Sequence, residues 1–189
     1  MQKDDRLLVQ TWCAGDPEAY AALILKHEKL LRRVAVVSAG VFAVKDEMLI
    51  DDILQDACVR LLKALKYYRG NCEPSTYMAG VVRNCALDAV RKHIRYQTRI
   101  EKAEIIHKTE AQYEKDVADA IITDLESERL ITLLSKLEEP DRSLLYLKEA
   151  EGVELKELSA MFKIPLGTVK SKISRAKEKL RLLAYKEAN

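Results

Sequence analysis

Apolar residues recur along this chain at helical spacing, in two groups separated by a stretch where the rhythm fades. Asp16 is a cap candidate with Pro17 at the first helical position, and Tyr20, Leu23, Ile24, His27, Leu30, Leu31 and Val34 follow on one face. A second helix is predicted from about Asp51 to Leu65, where Ile53, Leu54, Ala57, Cys58, Leu61, Leu62 and Leu65 form a buried stripe and acidic residues gather at the N-terminal end. The stretch Arg69 to Pro74 breaks it. A third helix starts near Ser75 or Thr76 and runs to about Arg95, with Asn84, Asp88, Arg91 and Arg95 on a narrow polar stripe. Between Gln97 and Glu128 nine acidic residues stand against four basic ones, without Gly or Pro, and nothing promises a buried face. The rhythm returns with predicted helices from Leu130 to about Leu137, Pro140 to Gly152, Leu155 to Phe162 and Gly167 to about Tyr185. The expected fold class is all-α: two small helical domains, 1–96 and 129–189, joined by an acidic linker, 97–128.

Composition sharpens this picture by exclusion. The 189 residues are 48% hydrophobic and 33% charged with only 6 Gly and 4 Pro, which argues against disorder and turn-rich all-β folds. The longest uncharged stretch, Val34 to Val44, is far shorter than the ~20 residues a membrane-spanning helix needs. With no apolar signal-peptide core near the N-terminus, the expectation is a cytoplasmic protein without membrane insertion. Cys13, Cys58, Cys72 and Cys85 form no metal-binding spacing and read as reduced packing residues. His27, His93 and His107 lie apart, with no nucleophile or carboxylate arranged around them, so no enzyme, metal site or cofactor is expected.

Net charge is only +2, so any polyanion partner must show itself in how charge is placed. From Lys163 to Lys186 eight basic residues stand against Glu178 alone. The segment from Glu154 to Lys177 reads as a short helix, a tight turn and a longer basic helix, which is the grammar of a helix-turn-helix. Val169, Ile173, Ala176 and Leu180 would seat the second helix on the core, leaving Lys170, Ser171, Ser174 and Arg175 as an outward stripe able to reach base edges.

Asp52-Ile-Leu-Gln55-Asp56, Tyr68-Arg69-Gly70, the run Val82-Arg83-Asn84 through Asp88 to Arg91-Lys92, and Ile164 through Thr168 to Lys177 together resemble a bacterial RNA polymerase sigma factor of the extracytoplasmic-function type. Their order and spacing match over nearly the whole chain, with Ala14 to Tyr96 resembling the family's region 2 and Leu130 to Tyr185 its region 4. The resemblance implies an initiation subunit that binds core RNA polymerase and directs transcription from promoter DNA, and it implies an anti-sigma partner. Asp51, Asp52, Gln55 and Asp56 would meet the polymerase clamp; a helix-cap role is the simpler alternative for the first two. Arg69, Asn71, Tyr77 and Asn84 would engage the melted minus-10 element, with Arg91, Lys92 and Arg95 on its phosphates. Lys170, Ser171, Ser174 and Arg175 would read the minus-35 element, with Thr168, Lys172 and Lys177 on phosphates. The acidic linker would thread near the polymerase active-site channel.

This chain departs from the family pattern at Pro74, Tyr77 and Gly80, where Phe, Trp and a basic residue are usual, and at Glu154, Ser159 and Lys163, where a Ser or Thr cap, Ala and Gly are usual. The competing reading, a dimeric helix-turn-helix transcriptional regulator that never contacts polymerase, accounts for the second half alone.

Overall fold

The structure, a computed structural model, describes residues 4–45, 47–104 and 132–188. Every element among them is helical: α1 Asp5–Cys13, α2 Pro17–Ala39, α3 Val41–Lys45, α4 Glu47–Ala64 with a 3-10 turn Leu65–Tyr67, α5 Pro74–Glu104, α6 Asp141–Glu149, α7 Leu155–Phe162 and α8 Leu166–Ala188. The all-α expectation holds. Most of the proposed linker, from residue 105 on, and the start of the helix expected at Leu130 lie outside the described residues, while 132–135 form one helical turn.

Local chemistry sets the helix ends. The Asp16 carboxylate accepts from the Glu18 N–H at 2.9 Å, and Pro17 occupies the first turn, where its missing N–H costs nothing. Three of the differences from the expected boundaries bear on the sites. Asp5–Cys13 is a helix, although nine residues are too few to be helical alone; it forms because Leu8 and Val9 bury against the core and Asp5 accepts from Lys26 and pairs with His27 on α2, at 2.5 and 2.7 Å. The second predicted helix begins a turn early, at Glu47, so Asp51 and Asp52 lie inside it and cap nothing. The third continues to Glu104, past the expected boundary at Arg95.

In the first half α2, α4 and α5 pack around Leu23, Ile50, Ile53, Leu61, Leu65, Met78 and Val82, all essentially sealed from solvent, with α1 laid alongside α2. In the second half α6, α7 and α8 enclose Leu144, Leu147, Leu158 and Val169. The halves pack on each other, α2 against α6 and α5 against α7. This explains the uncharged stretch: every residue from Val34 to Ala39 is buried, because the second half covers the face of α2 that the first leaves open.

Arg142 on α6 anchors that contact. Its guanidinium, buried from solvent, donates to the Ser38 carbonyl and to the Leu137 carbonyl, each at 2.9 Å. Gly40, at φ 61°, ends α2 beside it, and a Cβ there would fall 2.6 Å from Nη1 of Arg142. Across the same seam Glu157 on α7 accepts from the Glu73 N–H at 2.9 Å and the Thr76 hydroxyl at 3.2 Å, at the start of α5.

The turn between α7 and α8 carries Lys163 in the left-handed region, φ 53° and ψ 42°. The Ser159 hydroxyl donates to the Ile164 carbonyl at 2.6 Å, so the serine found where alanine is usual ties the turn that lacks its usual glycine.

Gly40→Ala is expected to lower the melting temperature by several degrees, since φ 61° with ψ −131° is backbone that essentially only glycine adopts, at a cost of ~1–3 kcal/mol for another residue, and the methyl also displaces Arg142. Lys163→Gly is expected to raise stability by about 1 kcal/mol and Ser159→Ala to lower it by a similar amount, both read from urea unfolding.

Candidate nucleic-acid interface

Three polar faces stand on three helices. On α8, Val169, Ile173 and Ala176 are buried as the spacing predicts, and Lys170, Ser171, Ser174 and Arg175 are exposed on the opposite side. Ser171 donates to the Thr168 carbonyl at 3.0 Å and Arg175 Nε to the Ser171 carbonyl at 3.3 Å, so the stripe lies along the helix surface. Thr168, Lys172 and Lys177 are half-buried. Lys172 pairs with Asp141 at 2.7 Å and Lys177 with Glu149 at 2.9 Å, both on α6; these two lysines brace the helix that presents the stripe.

The second face lies on α5 and the loop before it. Asn84, Arg91, Lys92 and Arg95 are exposed along one side, and Arg69 and Asn71 are exposed in the loop. Arg91 reaches Asp88 at 3.3 Å, and Asp88 also holds Arg60 of α4 at 3.0 Å. Tyr77 is engaged inside the fold: its hydroxyl donates to the Ala64 carbonyl at 3.0 Å and its ring meets Tyr68 edge-on, with centroids 5.3 Å apart. Tyr68 donates to the Cys72 carbonyl, and burial pushes both phenols up, so the pair holds the loop in shape. The exposed aromatics here are Tyr67, at 78%, before the loop and Tyr96 on α5; the 3-10 turn turns Tyr67 out and its neighbour Tyr68 in.

The third face lies on α4. Asp51, Asp52, Gln55 and Asp56 are all exposed and share one side. Asp51 pairs with Arg32 of α2 at 2.7 Å and Asp56 with Arg60 at 2.8 Å. Met48, Val59 and Leu62 are also exposed and alternate with Asp52 and Gln55 at spacings of four and three residues, making a mixed apolar and acidic stripe. The sequence reading missed Met48 and Val59. Their signal is the 48-52-55-59-62 spacing, which a helix begun at Asp51, four residues after its first residue Glu47, cuts short.

Among the described residues no group of three or more His, Cys, Asp and Glu is gathered as for a metal ion, and no helix is long and apolar enough to cross a membrane. The four cysteines carry free thiols. Cys85 is buried and its thiol is pushed up to about 11 by that burial, which keeps it protonated and inert at neutral pH.

Residues 23–96 match Sigma-70 region 2, and residues 127–180 match Sigma-70 region 4. The chain is 26% identical to the RNA polymerase sigma-H factor of Pseudomonas aeruginosa, covering 94% of this chain and 92% of that one. It is 26% identical, with the same coverage, to the ECF RNA polymerase sigma-E factor of Escherichia coli. It is 25% identical to the ECF sigma factor SigM of Mycobacterium tuberculosis, over 97% of this chain and 87% of that one. Two solved structures share the fold. CnrH in complex with the cytosolic domain of CnrY has a TM-score of 0.66 at 22% identity, covering 95% of this chain and 96% of that one. The sigma factor RpoE of Bartonella quintana, in complex with the anti-sigma factor NepR, has a TM-score of 0.60 at 17% identity, covering 86% and 94%. The dimeric regulator leaves the region 2 match without explanation. A region 2 half followed by a helix-turn-helix region 4 half makes the chain a member of the sigma-70 family, an RNA polymerase sigma factor of the extracytoplasmic-function type.

Proposed function

We propose that the three faces divide the work of initiation. The mixed stripe on α4 holds core polymerase through Asp51, Asp52, Gln55 and Asp56, with Met48 and Val59 supplying the apolar contact. The α5 face and its loop engage the melted minus-10 strand, with the Asn84 amide on a base edge and Arg91, Lys92 and Arg95 on phosphates. The α8 stripe reads duplex minus-35 DNA. The observation that carries this is the pair of exposed nucleic-acid faces of unlike chemistry on one chain: a Lys, Ser and Arg stripe on a helix fit for the major groove, and an amide flanked by cations beside a loop.

The two elements lie about 85 Å apart on straight DNA at ~3.4 Å per base. In the packed form α7 touches α5, and α8, 23 residues long, spans only ~35 Å. The halves therefore separate before both elements are bound, and residues 105–131, with on the order of 90 Å of extended chain, have the reach for it. The protein performs no covalent step; polymerase supplies the catalysis. It works in the cytoplasm, where polymerase and promoter are. Its fold neighbours were solved with an anti-sigma factor or with the cytosolic domain of CnrY, which supports a protein partner that holds this chain silent.

The test is capture of core polymerase by the purified chain, then transcription from genomic DNA fragments with and without it. Discrete new start sites preceded by two unlike elements at fixed spacing are expected; DNA binding without polymerase capture or transcripts overturns the reading. Asp52→Lys and Val59→Glu are each expected to weaken polymerase capture at least tenfold while the melting temperature holds, since both side chains are exposed. Arg175→Ala is expected to weaken promoter binding by ~1–3 kcal/mol and to relax selectivity in the upstream element only, read by footprinting.

A further inference from the structure

Arg83 sits where a cation is poorly served. It immediately precedes Asn84 on α5, and its side chain is only 12% exposed. The guanidinium lies 4.2 Å from the centre of the Phe162 ring on α7. Its nearest carboxylate, Glu139, stands at 3.8 Å, beyond hydrogen-bond range, and its Nη1 reaches the Asn84 side-chain oxygen only at 3.5 Å. Nε has no hydrogen-bond partner among the described residues.

The surroundings add to the mismatch. Arg142 is a second buried guanidinium that feels the same Glu139, so one carboxylate serves two cations, and burial pulls both arginines below their ordinary value. Gly80, one turn back on α5, lets Met161 approach so closely that an added Cβ would meet it at 3.3 Å, and this brings the end of α7 over position 83. The cation–π contact with Phe162 offsets part of the cost of burying this charge but satisfies none of the guanidinium's N–H donors. A guanidinium with unspent donors suits a phosphate instead, and the face continuing from Asn84 through Arg91 to Arg95 is where the minus-10 strand is proposed to lie.

We propose that Arg83 is a gated DNA contact: stored under Phe162 while the halves are packed together, it is released when α7 lifts from α5 and then binds a backbone phosphate of the strand whose base Asn84 holds. This rests on the reading of the α5 face given above. Packing would thus cover a DNA ligand as well as hold the halves together, and opening would add a cation to the minus-10 face.

The experiment uses full-length chain at saturating core polymerase on the promoter fragment recovered by the transcription mapping, with open-complex formation followed against KCl concentration. Saturation removes differences in polymerase capture. Arg83→Gln is expected to lower complex formation several-fold at physiological salt and to flatten the log-log salt dependence by about 0.7–0.9, the slope of one lost phosphate contact, while Arg83→Lys keeps the slope. Phe162→Ala, which removes only the cover, is expected to keep the wild-type slope. The proposal is overturned by an Arg83→Gln chain that captures polymerase normally and shows wild-type slope and complex formation, because Arg83 then serves the packing alone. A wild-type chain that starts no transcripts overturns the underlying reading instead, and does so before any variant is compared.

Discussion

The Arg142 guanidinium, seated under the last turn of α2, is the interaction on which the packed form depends. A helix C-terminus presents carbonyl oxygens with no intrahelical partner, and a buried cation answers both their hydrogen-bonding need and their partial negative charge. Arg142 binds the Ser38 carbonyl there and the Leu137 carbonyl on its own side, so one planar group ties the end of α2 to the turn that opens α6. The other end of the seam mirrors it. Glu157 brings an anion to the first turn of α5, where the Glu73 N–H and the Thr76 hydroxyl await an acceptor. The second half therefore offers a cation to one helix end and an anion to another, and this polarity fixes which way round it docks.

The same seam is not optimised for stability. Arg83 Nε, Arg142 Nε and Glu139 Oε2 are buried without a hydrogen-bond partner among the described residues, an arrangement that costs ~1–3 kcal/mol for each group left unsatisfied. Apolar packing is concentrated at the α2–α6 contact, over Val34 to Ala39, while the α5–α7 contact is mixed, with Met161 against Gly80 and Phe162 against the Arg83 plane. The buried apolar residues of the two halves form one cluster, and it is the α5–α7 end of the seam whose mixed character resembles a transient interface between domains. A sigma factor must present its two DNA faces at distant elements, and a seam with unmet polar groups releases its halves more readily than a dry one.

Much of this was legible in the sequence where a single periodicity decides the outcome. The α8 stripe followed from Val169, Ile173 and Ala176 alone, because a helix on a core has one buried side. The left-handed backbone at Lys163 was signalled only by the resemblance, as the place where the family usually has glycine. What was hidden depended on contacts between distant segments. Asp5–Cys13 needs Lys26 and His27 of α2 to be helical. The buried run from Val34 to Ala39 was visible as an uncharged stretch, but only the docked second half says what covers it. Arg83 carries no sequence signal at all, since its burial comes from Phe162, nearly eighty positions further along the chain.

The two DNA faces are treated unequally by the packing. Lys170, Ser171, Ser174 and Arg175 remain exposed on α8 while the halves are together. The buried Val169, Ile173 and Ala176 fix the rotation of that helix, and the Lys172–Asp141 and Lys177–Glu149 pairs hold its register on α6 rather than add much stability, being partly solvated and worth less than ~1 kcal/mol each. On α5, by contrast, α7 covers Arg83, the residue that precedes Asn84. On the proposed reading, duplex recognition is therefore available to the packed chain, whereas full engagement of a melted strand is not, and the covalent order of the helices places the cover, α7, immediately before α8, the helix proposed to read the duplex. Any force that lifts α8 away from the first half must carry α7 with it.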